Sequence, residues 1–237
     1  MKQIIFFAAT WLLLLSGCKK DEVRQIDSSY NPDIKPAYFA NSTLITHPYY
    51  PATPGKKYIY EGQTDDGFER VEEQRLNTTK TIMGITCVIS SFKGYVNGKL
   101  VEETSDWYAQ DNDGNLWYFG EAVDNYNENG ALTDHSGSWE AGVDGAQPGI
   151  IMPANPQTGM KYREEYYFNH AEDEAEIIGT GLSETTSLDT YNNCIKTKNW
   201  TALEPDVVEN KIYAPGIGLI KEIEMPGNFE ITLVSIL

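Results

Sequence analysis

TCVISSFKGYVNGKLVEETSDWYAQDNDGNLWYFGEAV, Thr86 to Val123, alternates short runs of aromatic and β-branched residues with the dipeptides Asn97-Gly98 and Asp113-Gly114. Asn, Asp and Gly accept the positive φ of a tight turn, so each dipeptide set between strand-like runs is a hairpin signal. The pattern extends both ways. KKYIYEG, Asp66-Gly67 and FERVEEQRL precede it; KYREEYYF, AEDEAEIIG, NNCIKTKNW, VVENKIYA, GLIKEIEM and NFEITLVSIL follow. This spacing predicts an all-β domain with little helix, a single antiparallel meander of roughly ten strands forming a curved sheet or half-barrel. HAEDEAEII is ambiguous because Ala and Glu favour helix. The tyrosines before it and Gly179 after it favour a strand with Ala171, Asp173, Ala175 and Ile177 on one face.

The N-terminus sets the compartment. MKQIIFFAATWLLLLSG, residues 1–17, has a lysine, an apolar run and a small-residue pair before Cys18, which is the layout of a secretory signal peptide. LLLLSGC also matches the bacterial lipobox, in which the cysteine is lipid-modified and becomes the new N-terminus. Lipidation accounts for Cys18 better than an exposed thiol beside a flexible tail does. Residues 18–54, polar and punctuated by Pro32, Pro36, Pro48, Pro51 and Pro54, read as a lipidated tether, with YFANSTLI able to dock. The β domain is expected over residues 55–237. The formal net charge of −17 repels nucleic acid phosphate and anionic lipid, so the membrane partnership runs through the lipid on Cys18. Cys87 and Cys194 lie in strand-like text; a disulfide between them and two buried apolar thiols are equally compatible with an oxidising envelope.

DWYAQDNDGNLWYFGE (106–121), GSWEAGVDGAQPGIIMPANPQTGMKYREEYY (137–167), AEDEAEI (171–177) and NWTALEPDVVENKIYAPGIGLIKE (199–222) together resemble an uncharacterised family of secreted bacterial lipoproteins. KKDE after Cys18 is similar to the outer-membrane and surface-export signals of Bacteroidetes-type lipoproteins. The resemblance implies an outer-membrane, lipid-anchored protein, with surface exposure as one orientation. It implies an architecture similar to the lipoprotein-carrier half-barrel and carries no activity with it.

No nucleophile elbow, zinc motif, phosphate loop or dinucleotide fingerprint is present. His47, His135 and His170 lie in separate segments without ligand-like spacing. DNDGN, Asp111 to Asn115, invites a calcium reading that excess acid also permits, but Gly114 and Ala122 fall where an EF-hand loop needs other residues, so a hairpin turn is favoured. No other cofactor is implied.

What remains is carboxylates beside aromatic rings. Asp106 with Trp107 on the other face, Trp139 with Glu140 and Asp144, Glu165 with Tyr166, and Glu172 with Asp173 are the candidate ligand-binding residues. In KYREEYYF, Tyr162, Glu164 and Tyr166 share one face, and Arg163, Glu165 and Tyr167 the other. A ring offers sugars an apolar platform and a carboxylate accepts their hydroxyl hydrogens. An acid on an apolar face must be paired, protonated or ligand-bound, and pairing alone would also explain it. The leading reading is a non-enzymatic envelope lipoprotein whose β domain binds a small-molecule or glycan ligand. The alternatives are a glycan or ester hydrolase using two of Glu140, Asp144, Glu165, Glu172 and Asp173, or a structural or assembly lipoprotein.

Overall fold

The computed structural model describes residues 24–51 and 53–237; residues 1–17, read as a signal peptide, and Cys18 lie outside the described residues. Among the described residues one antiparallel sheet holds all fifteen strands, and the one helical element is a single turn at Pro36–Tyr38. The strands are β1 (Lys57–Gln63), β2 (Phe68–Ile82), β3 (Ile85–Val96), β4 (Lys99–Gln110), β5 (Leu116–Tyr126), β6 (Leu132–Asp134), β7 (Trp139–Glu140), β8 (Gln147–Met152), β9 (Lys161–Arg163), β10 (Glu165–Tyr166), β11 (Asp173–Thr185), β12 (Thr190–Thr201), β13 (Val208–Ala214), β14 (Gly218–Met225) and β15 (Phe229–Ile236).

The turns follow the dipeptides. Asn97 (φ 49°) and Gly98 (φ 77°) join β3 to β4 with both central residues left-handed, the geometry that matches strand twist in a two-residue hairpin. Met83 (φ 50°) and Gly84 (φ 78°) do the same between β2 and β3, a turn that the sequence marks only with the glycine. Around Asp111 the hairpin reading holds: its carboxylate accepts from the Asp113 and Asn115 amides, the Asn115 side chain and the Trp117 indole, all at 2.8–3.0 Å. HAEDEAEII is a strand, with Ala175 and Ile177 fully buried.

The sheet runs in the order β10-β8-β5-β4-β3-β2-β1-β15-β14-β13-β12-β11-β9, and its two ends are separated in sequence by Glu164 alone. Residues 161–166 therefore serve both edges. Arg163 pairs with Glu174 of β11 on one side, Glu165 and Tyr166 pair with Pro148 and Gln147 of β8 on the other, and the Glu164 amide donates to the Asp173 carbonyl at 2.8 Å. The curve goes further round than an open half-barrel and leaves almost no free edge, which removes the usual invitation to aggregate. Closure needs Gly149, because a Cβ there would come within 2.3 Å of the Glu164 backbone.

Two apolar clusters fill the barrel. One lies at the end carrying the Met83-Gly84 and Asp111–Asn115 turns and includes Ile82, Tyr108, Leu116, Tyr118, Ile151 and Met152. The other surrounds Tyr58, Tyr60, Val71, Ile212, Ile220 and Leu233. Cys87 and Cys194 are buried free thiols in different clusters, so the disulfide alternative is not realised.

From Arg24 to Pro51, where a flexible tether is expected, the chain is packed on the barrel, which corrects that part of the reading. Residues 24–30 cross the seam between β8 and residues 161–166. Residues 36–50 cap the first end of the barrel, with Phe39, Ile45 and Tyr50 at most 9% exposed and the Ser42 and Pro48 carbonyls accepting from Gln110 and Gly216 amides. Prolines hid the apolar content of this stretch: its few large side chains are spaced to drop into the barrel mouth rather than to form a periodic element.

Replacing Gly149 by Val should lower the midpoint of thermal unfolding by roughly 2–12 °C, from the 1–3 kcal/mol that overpacking typically costs and the 2–4 °C per kcal/mol expected at this chain length. Scanning calorimetry checks this, and an unchanged midpoint would mean the seam is not tightly closed.

Candidate functional site

The inward face is acidic. Glu69 and Glu73 on β2, Glu102 and Asp106 on β4, Glu121 on β5, Glu164 and Glu165 at the seam, Glu209 on β13 and Glu222 on β14 are all at most 7% exposed. Among the described residues, Arg75 and Lys211 are the buried cations against them.

Arg75 organises one polar group. Its guanidinium pairs with Glu73 and donates to the Ser90 hydroxyl, and it lies over the Tyr50 ring at 4.8 Å and the Tyr108 ring at 5.7 Å. Its Nε is buried without a hydrogen-bond partner. Lys211 organises a second group, 3.0 Å from Glu209 and 3.8 Å from Glu222. Nearby, the Asn199 amide donates to Glu164 at 2.9 Å and accepts from the Thr197 hydroxyl at 2.6 Å. Burial pushes Glu164 up to about 7 despite the Lys211 charge.

Between these two groups lies a cavity of about 30 Å³, enough for a couple of water molecules by volume, which opens toward the capped end past Pro51, Ile217 and Gly218. Tyr50, Tyr58, Tyr60, Phe92 and Tyr213 form its walls, and Glu73, Arg75 and Lys211 supply its charge. The Tyr60 hydroxyl donates to the Leu219 carbonyl at 3.2 Å. Five rings thus box in a cavity beside a guanidinium that has one idle N–H.

The third group holds the acids singled out in the sequence. Asp106 and Glu121 are cross-strand partners, and Glu121 is in turn opposite Trp139, so all three share the inner face. Asp106 accepts from the Tyr118 and Tyr108 hydroxyls at 2.8 and 3.2 Å, and Trp139 stands edge-on to Tyr118 at 5.3 Å. Gly120 (φ 123°) makes this possible, because a Cβ there would lie 2.3 Å from the Trp139 carbonyl oxygen. Glu165 and Asp173 complete the belt: each raises the proton affinity of its neighbours, and Glu165 interacts with both Asp173 and Glu121. Glu102 Oε2, Glu121 Oε2, Glu165 Oε2 and Trp139 Nε1 are buried without hydrogen-bond partners, although the indole N–H is near enough to Glu165 to favour its ionised form. Burial drives the belt toward protonation, holding Glu102 up at about 8, Asp106 at about 7 and the partly exposed Asp173 at about 6, with Glu121 and Glu165 well above the usual carboxylate range.

The remaining sequence candidates are elsewhere. Asp144 is exposed in the turn over 142–146 with φ 50°. Glu140 points outward and pairs with Lys80 at 2.7 Å, and the same ammonium sits 3.3 Å over the Trp107 ring. Glu172 pairs with Arg24 and accepts from the Asn169 amide. Tyr166 faces outward, its hydroxyl accepting from the Asp27 amide at 2.5 Å. The alternation read in KYREEYYF breaks at the seam: Glu164 and Glu165 both turn inward, because residue 164 lies between two short strands that serve opposite edges. No two of the five hydrolase candidates face each other across an open cleft, and among the described residues no three His, Cys, Asp or Glu side chains are placed to hold a metal ion. Sequence reasoning missed Glu121, Glu102, Arg75 and Lys211. The signal for them was period-two alternation: Glu69, Val71, Glu73 and Arg75, or Glu102, Thr104, Asp106 and Tyr108, share one face in each strand.

These acids bind protons more tightly folded than unfolded, where carboxylates titrate near ~4. The folded state therefore takes up protons between about pH 4 and pH 8, and stability falls as pH rises through that window. Below it, the lowered acids Asp27, Asp33, Glu72 and Asp134 pull the other way. The unfolding midpoint should thus peak near pH 5 and decline toward pH 8.5, and Glu121→Gln should flatten the decline. A midpoint rising from pH 5 to 8.5 would contradict this.

No family model matches the chain, and no curated protein matches it. Among solved structures it is similar to a "putative lipoprotein" from Parabacteroides distasonis, at 16% identity and a TM-score of 0.43, over 80% of this chain and 98% of that one.

Proposed function

We propose that the protein is a lipoprotein anchored to the outer membrane through Cys18, and that its barrel is a non-enzymatic binding domain for a small hydroxyl-bearing ligand such as the terminal residue of a glycan. The observation that carries this reading is the five-ring cavity with its idle donor. Tyrosine faces offer an apolar platform to a sugar ring, the Arg75 Nε–H has an acceptor to gain, and Glu73 can accept from a hydroxyl. The acid belt is not this site, because Asp106, Glu121 and Glu165 are enclosed by the barrel wall. A cavity of about 30 Å³ takes only a hydroxyl or hydroxymethyl tip, with the rest of the end group resting at the mouth, and does not suit a chain laid along the sheet.

The lipobox supports the anchor, with palmitate among the acyl chains expected on Cys18. Cys18→Ser should abolish incorporation of labelled palmitate and release the protein from the membrane fraction; a labelled, membrane-bound Cys18→Ser variant would refute the anchor.

Isothermal titration with a panel of mono- and oligosaccharides tests the binding reading. At least one member should bind in the micromolar to millimolar range, a span of roughly −8 to −4 kcal/mol. Ile217→Trp, which fills the mouth, should remove that binding, while Glu140→Gln on the outer surface should leave it unchanged. A silent panel, or an Ile217→Trp variant that binds as well as the parent, would remove the site from consideration.

A further inference from the structure

Along the strand path that closes the barrel, the seam is the shortest join. On the β8 side two residue pairs hold it, Glu165 to Pro148 and Tyr166 to Gln147, whereas β2 and β3 are joined along most of their length. Pro148 has no amide proton to contribute to the ladder. Behind this short join lie Glu121 and Glu165, each with a buried carboxyl oxygen that has no hydrogen-bond partner. In front of it lies the strap of residues 24–30. Arg24 pairs with Glu172, Asp27 pairs with Arg163 at 3.1 Å, and the Tyr30 hydroxyl donates to the Pro148 carbonyl at 2.9 Å while its ring stands edge-on to Tyr166. The strap thus touches both sides of the join.

We propose that this seam is a proton-gated door in the barrel wall, held shut by protonated Glu121 and Glu165 inside and by the 24–30 strap outside, and released when those two carboxyls ionise.

The charges around the two groups leave ionisation no other outlet. Glu121 is faced by Asp106 and Glu102 from β4, by Glu165 from β10 and by Asp173 from β11, all acids; Tyr118 on its own strand adds only a hydroxyl. Glu165 is faced by Asp173, Glu164 and Glu121, with the Trp139 indole and the Asp173 backbone amide as the groups that favour its ionised form. The interior cations are committed elsewhere, Arg75 to Glu73 and Lys211 to Glu209 and Glu222. Two neighbouring carboxylates in low dielectric repel strongly and seek water, and Glu165 itself stands in the two-pair join. The strap's ion pairs are partly exposed and hold the door by position more than by energy.

Hydrogen exchange read by mass spectrometry on the full-length protein in detergent tests this, with exchange times scaled for the intrinsic effect of pH. Between pH 6 and pH 8.5, peptides covering 147–152 and 161–170 should exchange about tenfold faster, and peptides from β3 and β4 should change by less than about twofold. Glu121→Gln with Glu165→Gln should abolish the rise at the seam. Arg24→Gln with Asp27→Asn, which leaves the interior untouched, should speed seam exchange already at pH 6, and this holds as a test even where the double glutamine variant does not fold. Equal acceleration in β3 and β4 would show general loosening and overturn the proposal. So would a seam that still accelerates in the glutamine variant, or a strap variant that exchanges like the parent.

Discussion

Every inward-facing carboxylate in this barrel has to find a proton, a cation or a hydrogen-bond donor, because an unpaired charge in low dielectric costs several kcal/mol. The interior answers that demand in three ways. Glu73 takes Arg75, Glu209 and Glu222 share Lys211, and Asp106 takes two tyrosine hydroxyls. Glu121 and Glu165 have no such donor at one oxygen each, so they keep their protons. Each polar group then fixes a set of strands: Arg75 ties β2 to β3 and to the capping segment through Tyr50, while Asn199 and Glu164 tie β12 to the seam. Apolar packing supplies most of the stabilisation, but the polar groups determine which strands stand opposite one another, since an acid moved one residue along would lose its only partner.

The same constraint explains why the barrel closes. A curved sheet with this inner face left open would expose nine acids to water and gain little by folding over them. Closure through one six-residue segment seals them, at the cost of a join so short that it depends on a glycine at position 149 and on cover from the N-terminal residues. The stretch Gly137 to Ala154 is divided by that requirement. Ile151 and Met152 fill the core, Gly149 and Pro148 shape the seam, Trp139 faces the acid belt, and Asp144 merely turns the chain in solvent.

Much of this was legible in the residues. The Asn-Gly and Asp-Gly turns, the strand character of HAEDEAEII and the near absence of helix follow from local chemistry, which acts over a few residues and survives into the fold. Convergence of Asp106, Trp139, Glu165 and Asp173 was also within reach, because aromatic and acidic neighbours on one strand face demand company. The partners were not. Glu121 sits beside Asp106 only because a bulge at Gly120 shifts the register, and Glu164 joins Glu165 inside only because one segment serves two edges. Both depend on long-range pairing that no window of sequence contains. The packing of residues 24–51 was hidden for the opposite reason: its contacts are single side chains and backbone carbonyls, without periodicity to betray them.

With the proposed lipid on Cys18, the strap would also set an attitude toward the bilayer. Arg24 is docked beside Glu172 and Phe168, at the end of the barrel where β11 begins, and the five-ring cavity opens at the other end, beside Ile217 and Gly218. Five residues lie between Cys18 and Arg24, and a chain reaches at most about 3.5 Å per residue, so the proposed lipid on Cys18 would hold the β11 end within roughly 20 Å of the membrane surface. The cavity mouth would then look away from the lipid. A domain leashed so closely would have little freedom to tumble, and it would meet its surroundings mouth first.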